Sequence, residues 1–243
     1  MGVRIEVLPF LGVAVALAVL IALVGRLLGA RARRAGWCGA AVGAVLAAYL
    51  LYFFRDPPRT PPADEAAIVA GADGKIANIV ALDRAAFRRT ATAAGLKPEQ
   101  LGDFLQMDVT RISIFLSLFD VHVNRAPIAG ASTFLGYFPG RHFFTYLEKS
   151  SDYNQHNSIL IQNARTRCLF NQIVGPVARR VVYWPDHSRP VAVRKGEAIG
   201  MMKFGSRLDL YFPSNDIRVK VRVGDKVRAG ETVIARLETE AGP

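Results

Sequence analysis

The sequence contains a Gly-Ser pair, Gly205-Ser206, between two strand-like stretches, at the centre of residues 203–213. The Ser206 hydroxyl could attack the Gly205 carbonyl, so that the amide between them becomes an ester. β-Elimination of that ester would leave a dehydroalanine, which hydrolyses to an N-terminal pyruvoyl group. Glycine suits the first position because it has no Cβ to block the attack and tolerates strained backbone, and serine supplies both the nucleophile and the leaving oxygen. A plain turn is the alternative for any Gly-Ser pair.

Two charge-free apolar stretches lie near the N-terminus, at residues 9–25 and 35–54. Each has roughly the 17–25 residues that a helix needs to cross a bilayer. Trp37 and Tyr52 lie near the ends of the second stretch, where interfacial aromatic residues are common. Positive charges follow the first stretch instead of preceding it, which argues against a cleaved signal peptide. A buried helical hairpin of a soluble core is the other alternative, and we expect a membrane-embedded hairpin in residues 1–60.

After the proline-rich segment 54–62, short strand patterns alternate with Gly, Pro, Asn and Asp, which is typical of β-rich domains. Strands are predicted at Ala67–Ala70, Lys75–Val80, Thr110–Leu118, Ser132–Tyr137, Ser158–Gln162, Cys168–Val174, Ala178–Tyr183, Ile217–Val223 and Thr232–Leu237. A short helix is predicted to begin at Pro98. The Gly224-Asp225 turn between two strands is typical of small barrel-sandwich modules. The predicted fold class is mostly β (α+β), with a hydrophobic helical hairpin followed by a β-rich, barrel-sandwich-like domain over residues 61–243.

The composition favours a membrane surface as the partner. The formal net charge is +11, and a basic domain tethered to a bilayer is expected to contact anionic lipid head groups. The sequence has no basic helix or nucleic-acid motif, so nucleic acid is not expected to bind. The two cysteines, Cys38 and Cys168, make no disulfide framework, and the four histidines show no metal-ligand spacing. No metal site is therefore predicted.

Four blocks that occur in order along the chain resemble phosphatidylserine decarboxylase in its short, archaeal-type form. They are YFFRDP at residues 52–57, ADGKI at residues 72–76, FLS leading into VHVNRAP at residues 115–127, and FGSRLDLYFP at residues 204–213. Together the blocks span most of the chain, and the ordered set is far more specific than any one of them.

The resemblance implies a proenzyme that is cut between Gly205 and Ser206. The products would be a membrane-associated β chain, residues 1–205, and an α chain, residues 206–243, which together form a heterodimer. A pyruvoyl group made from Ser206 would form a Schiff base with phosphatidylserine in the bilayer and accept electrons as CO₂ leaves. Phosphatidylethanolamine would be the product, and no separate cofactor or metal would be required.

Asp73 and Ser206 map onto the Asp, His and Ser that are thought to act together in self-cleavage of the family's long form, and the resemblance leaves open whether His122 supplies the histidine. His122 is the acid–base candidate, because its unperturbed pKa of about 6.5 allows proton transfer at neutral pH. A histidine on a strand face with an ordinary hydrogen bond is the alternative. Asp73 could orient or activate the groups that cut the chain, or it could serve only as a turn residue.

Two further residues are substrate-binding candidates. Arg125 could clamp the substrate's phosphate or carboxylate, or it could make a surface salt bridge. The long bacterial form has a second histidine where Arg125 stands. Asn124 could donate a hydrogen bond to the scissile carbonyl. His142, His156 and His187 lie in loop-like sequence and are not expected in the site.

The resemblance also implies a location at the cell membrane, on its cytoplasmic face. The loop between the apolar stretches carries four positive charges, Arg26, Arg31, Arg33 and Arg34. If both helices span, the positive-inside rule would place this loop in the cytoplasm and the following domain outside. A shallow hairpin that does not span would remove the conflict.

Two alternatives keep the chain whole. Met201-Met202-Lys203 has some similarity to the Met-Lys of biotin attachment sites, so a membrane-anchored biotinyl- or lipoyl-like carrier is one of them. An adaptor with barrel-sandwich modules and no chemistry is the other, although such adaptors usually carry a long heptad-patterned hairpin that is absent from this sequence.

Overall fold

The structure, a computed structural model, describes residues 2–176 and 181–238. The chain divides into two compact units, Met1–Pro58 and Arg59–Pro243. Each unit is built from elements that are close in the sequence or paired in a sheet, and each is described by itself.

The first unit is a helical hairpin, as predicted. It consists of helices α1 (Leu8–Leu27) and α2 (Ala32–Phe53), with a short 3₁₀ helix at Ile5–Val7 and a strand pair, β1 (Gly2–Val3) and β2 (Arg55–Asp56). A Cβ added to Gly39 would lie 2.4 Å from the Ala18 carbonyl oxygen, so a small residue is required where the helices cross. Both helices are long and apolar enough to cross a membrane, and few of their residues are buried.

The second unit is β-rich and carries a few short helices. Its strands are β3 (Ala67–Val69), β4 (Gly74–Leu82), β5 (Val109–Leu116), β6 (Val123–Arg125), β7 (Gly130–Phe138), β8 (His156–Gln162), β9 (Arg167–Val174), β10 (Val181–Tyr183), β11 (Val191–Val193), β12 (Ala198–Met202), β13 (Ser206–Pro213), β14 (Ile217–Val219), β15 (Lys226–Val227) and β16 (Val233–Leu237). Its helices are α3 (Arg84–Ala93), α4 (Pro98–Leu101) and α5 (Ser150–Tyr153), with 3₁₀ turns at Gly102–Gln106 and Ser214–Asp216.

The strands form antiparallel sheets that stay open. Within residues 2–176 and 181–238, eight strands make one sheet in the order β11-β7-β8-β9-β13-β5-β4-β15. Two three-stranded sheets, β10-β12-β6 and β14-β16-β3, complete the unit, and none of these described sheets closes into a barrel. Strand β13 lies inside the large sheet, where Ser206 pairs with Val174 of β9 and Leu116 of β5.

Successive side chains of β13 point alternately to the two faces of the large sheet. Leu208 and Leu210 belong to the main hydrophobic core, whereas Tyr211 packs in a second cluster with Phe87 of α3. Because successive side chains of a strand point to opposite faces, Ser206 points to the same face as Leu208. The serine is therefore on the side of the main core.

The predicted α+β class is confirmed, and most predicted strands are present with small differences in length. The strand predicted to reach Val223 ends at Val219, and residues 220–222 have no regular structure before the turn at residues 223–224. The prediction of a strand from Ala178 is met from Val181 onward, and residues 178–180 lie outside the described residues. His156 was wrongly placed in a loop: it begins β8, and its polar neighbours Asn157 and Ser158 are buried.

Candidate active site at the Gly205–Ser206 bond

Ser206 is the first residue of β13 and is fully buried. No described residue forms a hydrogen bond with its Oγ. Leaving a buried hydroxyl unsatisfied costs about 1–3 kcal/mol, so such atoms call for a functional explanation. A hydroxyl that is shielded from water and uncommitted to other groups suits a nucleophile.

The backbone is strained immediately before this serine. Phe204 has a φ of 50° and Gly205 a φ of 72°. Among the described residues, Phe204 is the one non-glycine residue with a positive φ, and a side chain in that region costs about 1–2 kcal/mol. Glycine adopts the same region without that penalty. The strain therefore lies next to the Gly205–Ser206 peptide bond.

The carbonyl oxygen of Gly205 is enclosed by two residues from other segments. The Thr145 hydroxyl donates to it across 3.5 Å. A Cβ added to Gly175 would lie 2.9 Å from the same oxygen, so this position has room only for glycine unless the backbone moves. The bond that Ser206 would attack is thus held inside a narrow site.

His122 is fully buried and is tied to the segment that leads to the bond. Its Nδ1 donates to the Asp120 carbonyl at 3.0 Å, because a carbonyl can only accept. In the neutral imidazole, Nε2 then carries the lone pair that can take a proton. The His122 carbonyl accepts from the Met202 amide at 3.1 Å, and Met202 is four residues before Ser206, so the His122 backbone is bonded to the segment that leads to the serine.

Asn124 lies on the Ser206 side of the large sheet. Its Oδ1 accepts from Gln172 Nε2 at 2.8 Å, and Gln172 stands opposite Leu208 in the β13–β9 ladder. Leu208 and Ser206 share a face, so Gln172 holds the Asn124 amide close to the serine's side of the strand. In the part of the chain that the structure describes, Asn124 Nδ2 has no acceptor.

Arg125 makes a different kind of contact. Its Nη1 donates to the Gly196 carbonyl at 3.1 Å, and its backbone amide donates to Gly71 at 2.9 Å. A Cβ added to Gly230 would lie 3.0 Å from the Arg125 Cδ, so the side chain also packs against residues near the C-terminus. These contacts fix the end of β6.

Asp73 is buried and bridges distant parts of the chain. Its Oδ2 accepts from Arg59 at 2.7 Å, and its Oδ1 accepts from the Ala229 amide at 2.8 Å. Burial raises the pKa of Asp73, although the Ala229 amide and Arg59 both favour the charged form. Arg59 also binds Glu231 at 3.0 Å. Asp73 therefore connects residues that precede Ser206 with residues that follow it.

Comparison with known proteins assigns the family. Residues 46–235 match the family described as "Phosphatidylserine decarboxylase". The chain belongs to the phosphatidylserine decarboxylase family. A relative named "Phosphatidylserine decarboxylase proenzyme", from Desulfotalea psychrophila, is 38% identical over 191 residues, which cover 78% of this chain and 80% of the relative. The family resemblance predicted from the sequence is confirmed.

The face of β13 opposite Ser206 carries buried charges that the sequence analysis did not single out. Arg207 and Asp209 are both fully buried and form an ion pair with an Nε–Oδ1 distance of 2.7 Å. Arg207 also donates to Ser113 at 2.8 Å, and Arg111 pairs with Glu148. The alternation of charged and leucine residues after Ser206 was the available signal, since residues two apart on a strand share a face.

Three residues near the Gly205–Ser206 bond and Asn124 were missed. Thr145 and Gly175 border the Gly205 carbonyl, and Gln172 holds Asn124. None of them stands in a recognisable motif or near Ser206 in the sequence, so no sequence signal could have found them. As for a metal, the described residues contain no group of three or more His, Cys, Asp or Glu that could hold an ion.

Proposed function

We propose that this member of the phosphatidylserine decarboxylase family cuts its own chain between Gly205 and Ser206 and uses the resulting pyruvoyl group to convert phosphatidylserine into phosphatidylethanolamine. The buried Ser206 hydroxyl, together with the strained backbone at Phe204 just before the Gly205–Ser206 bond, carries the proposal. These residues fit a prosthetic group that is made from the serine itself. The word "proenzyme" in the relative's name supports processing of the chain.

Self-cleavage would proceed in four steps. Ser206 Oγ adds to the Gly205 carbonyl carbon, and its proton passes to His122 Nε2, the proposed base. The C–N bond then breaks, and the amide nitrogen takes a proton, which leaves an ester on the serine oxygen. Loss of the Ser206 Cα proton breaks the ester C–O bond and releases the Gly205 carboxylate. Water finally hydrolyses the remaining enamine and releases ammonia.

The pyruvoyl group, once formed, supplies an electron-accepting carbonyl for the loss of CO₂. His122 would then hold the proton that is delivered to the product's Cα. Asn124 Nδ2, which has no acceptor among the described residues, would donate either to the scissile carbonyl or to the substrate carboxylate. Arg125 is the proposed contact for the substrate's phosphate or carboxylate, since a guanidinium pairs with such anions. We retain Asp73 as an orienting group for the cleavage.

The two chains would remain together as a heterodimer after the cut. Strand β13, which begins the α chain (206–243), lies between β9 and β5 of the β chain (1–205). Asp73 and Arg59 of the β chain bind Ala229 and Glu231 of the α chain. Backbone ladders on both edges of β13 and these contacts would hold the small chain in place.

The proposed location is the cytoplasmic face of the cell membrane. The substrate's acyl chains stay in the bilayer, so the enzyme must work at its surface. Helices α1 and α2 have the length and composition to anchor the chain there. The basic net charge of +11 favours anionic head groups.

Intact mass of the purified protein tests the proposal. We expect two chains, residues 1–205 and 206–243, with the smaller one lighter than a serine-headed fragment by the mass of ammonia. Its N-terminus should resist Edman degradation, because a ketone replaces the amine. A single band with active decarboxylation would contradict the mechanism. A single biotin-positive band would instead support the carrier alternative.

Replacing His122 by alanine is expected to slow both self-cleavage and decarboxylation by about 10²–10⁴-fold, the usual contribution of a general acid or base. The measurement is the fraction of cut chain against time, together with the rate of CO₂ release per cut chain. His187→Ala is the matched control, because His187 is exposed and stacks on Phe134. Unchanged rates in His122→Ala would remove this histidine from the site.

A further inference from the structure

We propose that Thr145 is a catalytic residue for the self-cleavage: its hydroxyl donates to the Gly205 carbonyl oxygen as that oxygen gains negative charge. The inference rests on the proposed cut at Gly205–Ser206 and adds a group to it. Attack by Ser206 Oγ converts the carbonyl oxygen into an alkoxide while the tetrahedral intermediate exists. A donor aimed at this oxygen stabilises the intermediate and accelerates the reaction.

The position of Thr145 fits this role. The residue is 3% exposed, and its Oγ1 lies 3.5 Å from the Gly205 oxygen. Catalytic hydrogen bonds are often long before the reaction and tighten in the transition state. In a buried site the developing charge is poorly solvated by water, so a fixed donor has a larger effect than it would have at the surface.

Side-chain hydrogen bonds hold the loop of Thr145 against the strand opposite Ser206. Asn154 Nδ2 donates to the carbonyls of Phe143 at 2.7 Å and Val174 at 2.9 Å, and its Oδ1 accepts from the Phe143 amide at 2.9 Å. Val174 is the β9 residue that pairs with Ser206. Asn154 is therefore a positioning residue that aligns the Thr145 loop with the bond to be cut.

The packing on the other side of the carbonyl agrees with a site built for this oxygen. A Cβ at Gly175 would lie 2.9 Å from the Gly205 oxygen and 3.3 Å from Thr145 Cγ2. Glycine at this position therefore lets the threonine and the carbonyl approach each other. The Ser150 hydroxyl donates to the Thr145 carbonyl at 3.3 Å and further orders the loop.

The test compares Thr145→Val with Thr145→Ser in the full-length protein. Valine keeps the shape of threonine and removes the hydroxyl, so we expect the chain to be cut about 10²–10³-fold more slowly, the effect of losing one such donor. Serine keeps the hydroxyl and should cut within about tenfold of the parent. The readout is the fraction of cut chain on a denaturing gel at successive times after synthesis, which requires no decarboxylase activity.

Folding is checked in an uncut background. Thr145→Val and Thr145→Ala are each combined with Ser206→Ala, and the melting temperature of each double variant is compared with that of Ser206→Ala alone. The Thr145 substitution that leaves the melting temperature unchanged is then scored for cleavage as a single variant, with Ser206 in place. Cleavage of that variant at the parent rate would overturn the inference, as would loss of cleavage in a folded Thr145→Ser protein. If the unaltered chain itself is never cut, the proposed function fails, and this result is distinct from failure of the Thr145 role.

Discussion

A Ser206→Ala protein is expected to remain a single polypeptide and to decarboxylate no phosphatidylserine. Alanine lacks both the nucleophile that opens the Gly205 amide and the oxygen whose departure creates the ketone. Activity should therefore fall to the uncatalysed background, a loss of at least about 10⁶-fold. The measurements are intact mass and the release of labelled CO₂ from phosphatidylserine.

The same variant is expected to fold normally. No described residue binds Ser206 Oγ, so its removal breaks no hydrogen bond within the described chain and relieves an unsatisfied buried group. Loss of activity in a protein with a cooperative melting transition then reports chemistry and not unfolding. Ser188→Ala, at an exposed position, is the matched control and should be cut and active. Turnover by uncut Ser206→Ala would rule out the mechanism.

The hairpin and the Gly205–Ser206 site could be predicted because their signals are local. Two charge-free stretches of helical length indicate α1 and α2, and ordered blocks of sequence locate the serine. Strand β8 was harder to recognise at its start, because His156 and Asn157 look like a loop. Their side chains are buried instead: Asn157 Nδ2 donates to Gln172 Oε1 at 3.3 Å, and His156 stacks on Phe138. Consecutive polar residues inside a sheet lack the alternation of apolar and polar residues on which strand prediction depends.

The other residues of the candidate site make contacts with residues that are distant in the sequence, and no local sequence pattern predicts such contacts. Thr145 is sixty positions from Gly205 in the sequence, yet its hydroxyl donates to the Gly205 carbonyl. A hydrogen bond from Asn154 to Val174 holds the Thr145 loop at the end of β9. Asp73 illustrates the opposite case. Its Ala-Asp-Gly sequence indicated a turn, and the chain bends at residues 71–73 before β4, but only the fold shows that the carboxylate bridges Arg59 and Ala229. Turn chemistry is local, whereas the partners of a buried side chain are set by the topology.

The largest effect on stability is expected from Asp209→Ala. Asp209 and Arg207 are both fully buried. Without Asp209, the Arg207 guanidinium keeps only the Ser113 hydroxyl and the more distant Glu148 carboxylate at 3.7 Å, and breaking such a buried pair costs about 3–5 kcal/mol. Denaturant unfolding of Asp209→Ala and its parent, both carrying Ser206→Ala to keep the chains uncut, measures the difference. Asp186→Ala, which breaks an exposed ion pair with Arg189, is the control and should unfold like the parent.

Lowering the pH should reduce the difference in stability between the same two proteins. Burial alone would raise the pKa of Asp209, but the charges of Arg207 and Arg111 lower it below its ordinary value. A carboxyl whose pKa is lower in the folded state contributes stability above its unfolded pKa of about 3.9, and that contribution is lost as the pH falls through the folded pKa. The parent's advantage over Asp209→Ala should therefore be full at neutral pH and shrink in acid. An advantage that is absent at pH 7, or that persists undiminished in strong acid, would contradict a charged, paired Asp209.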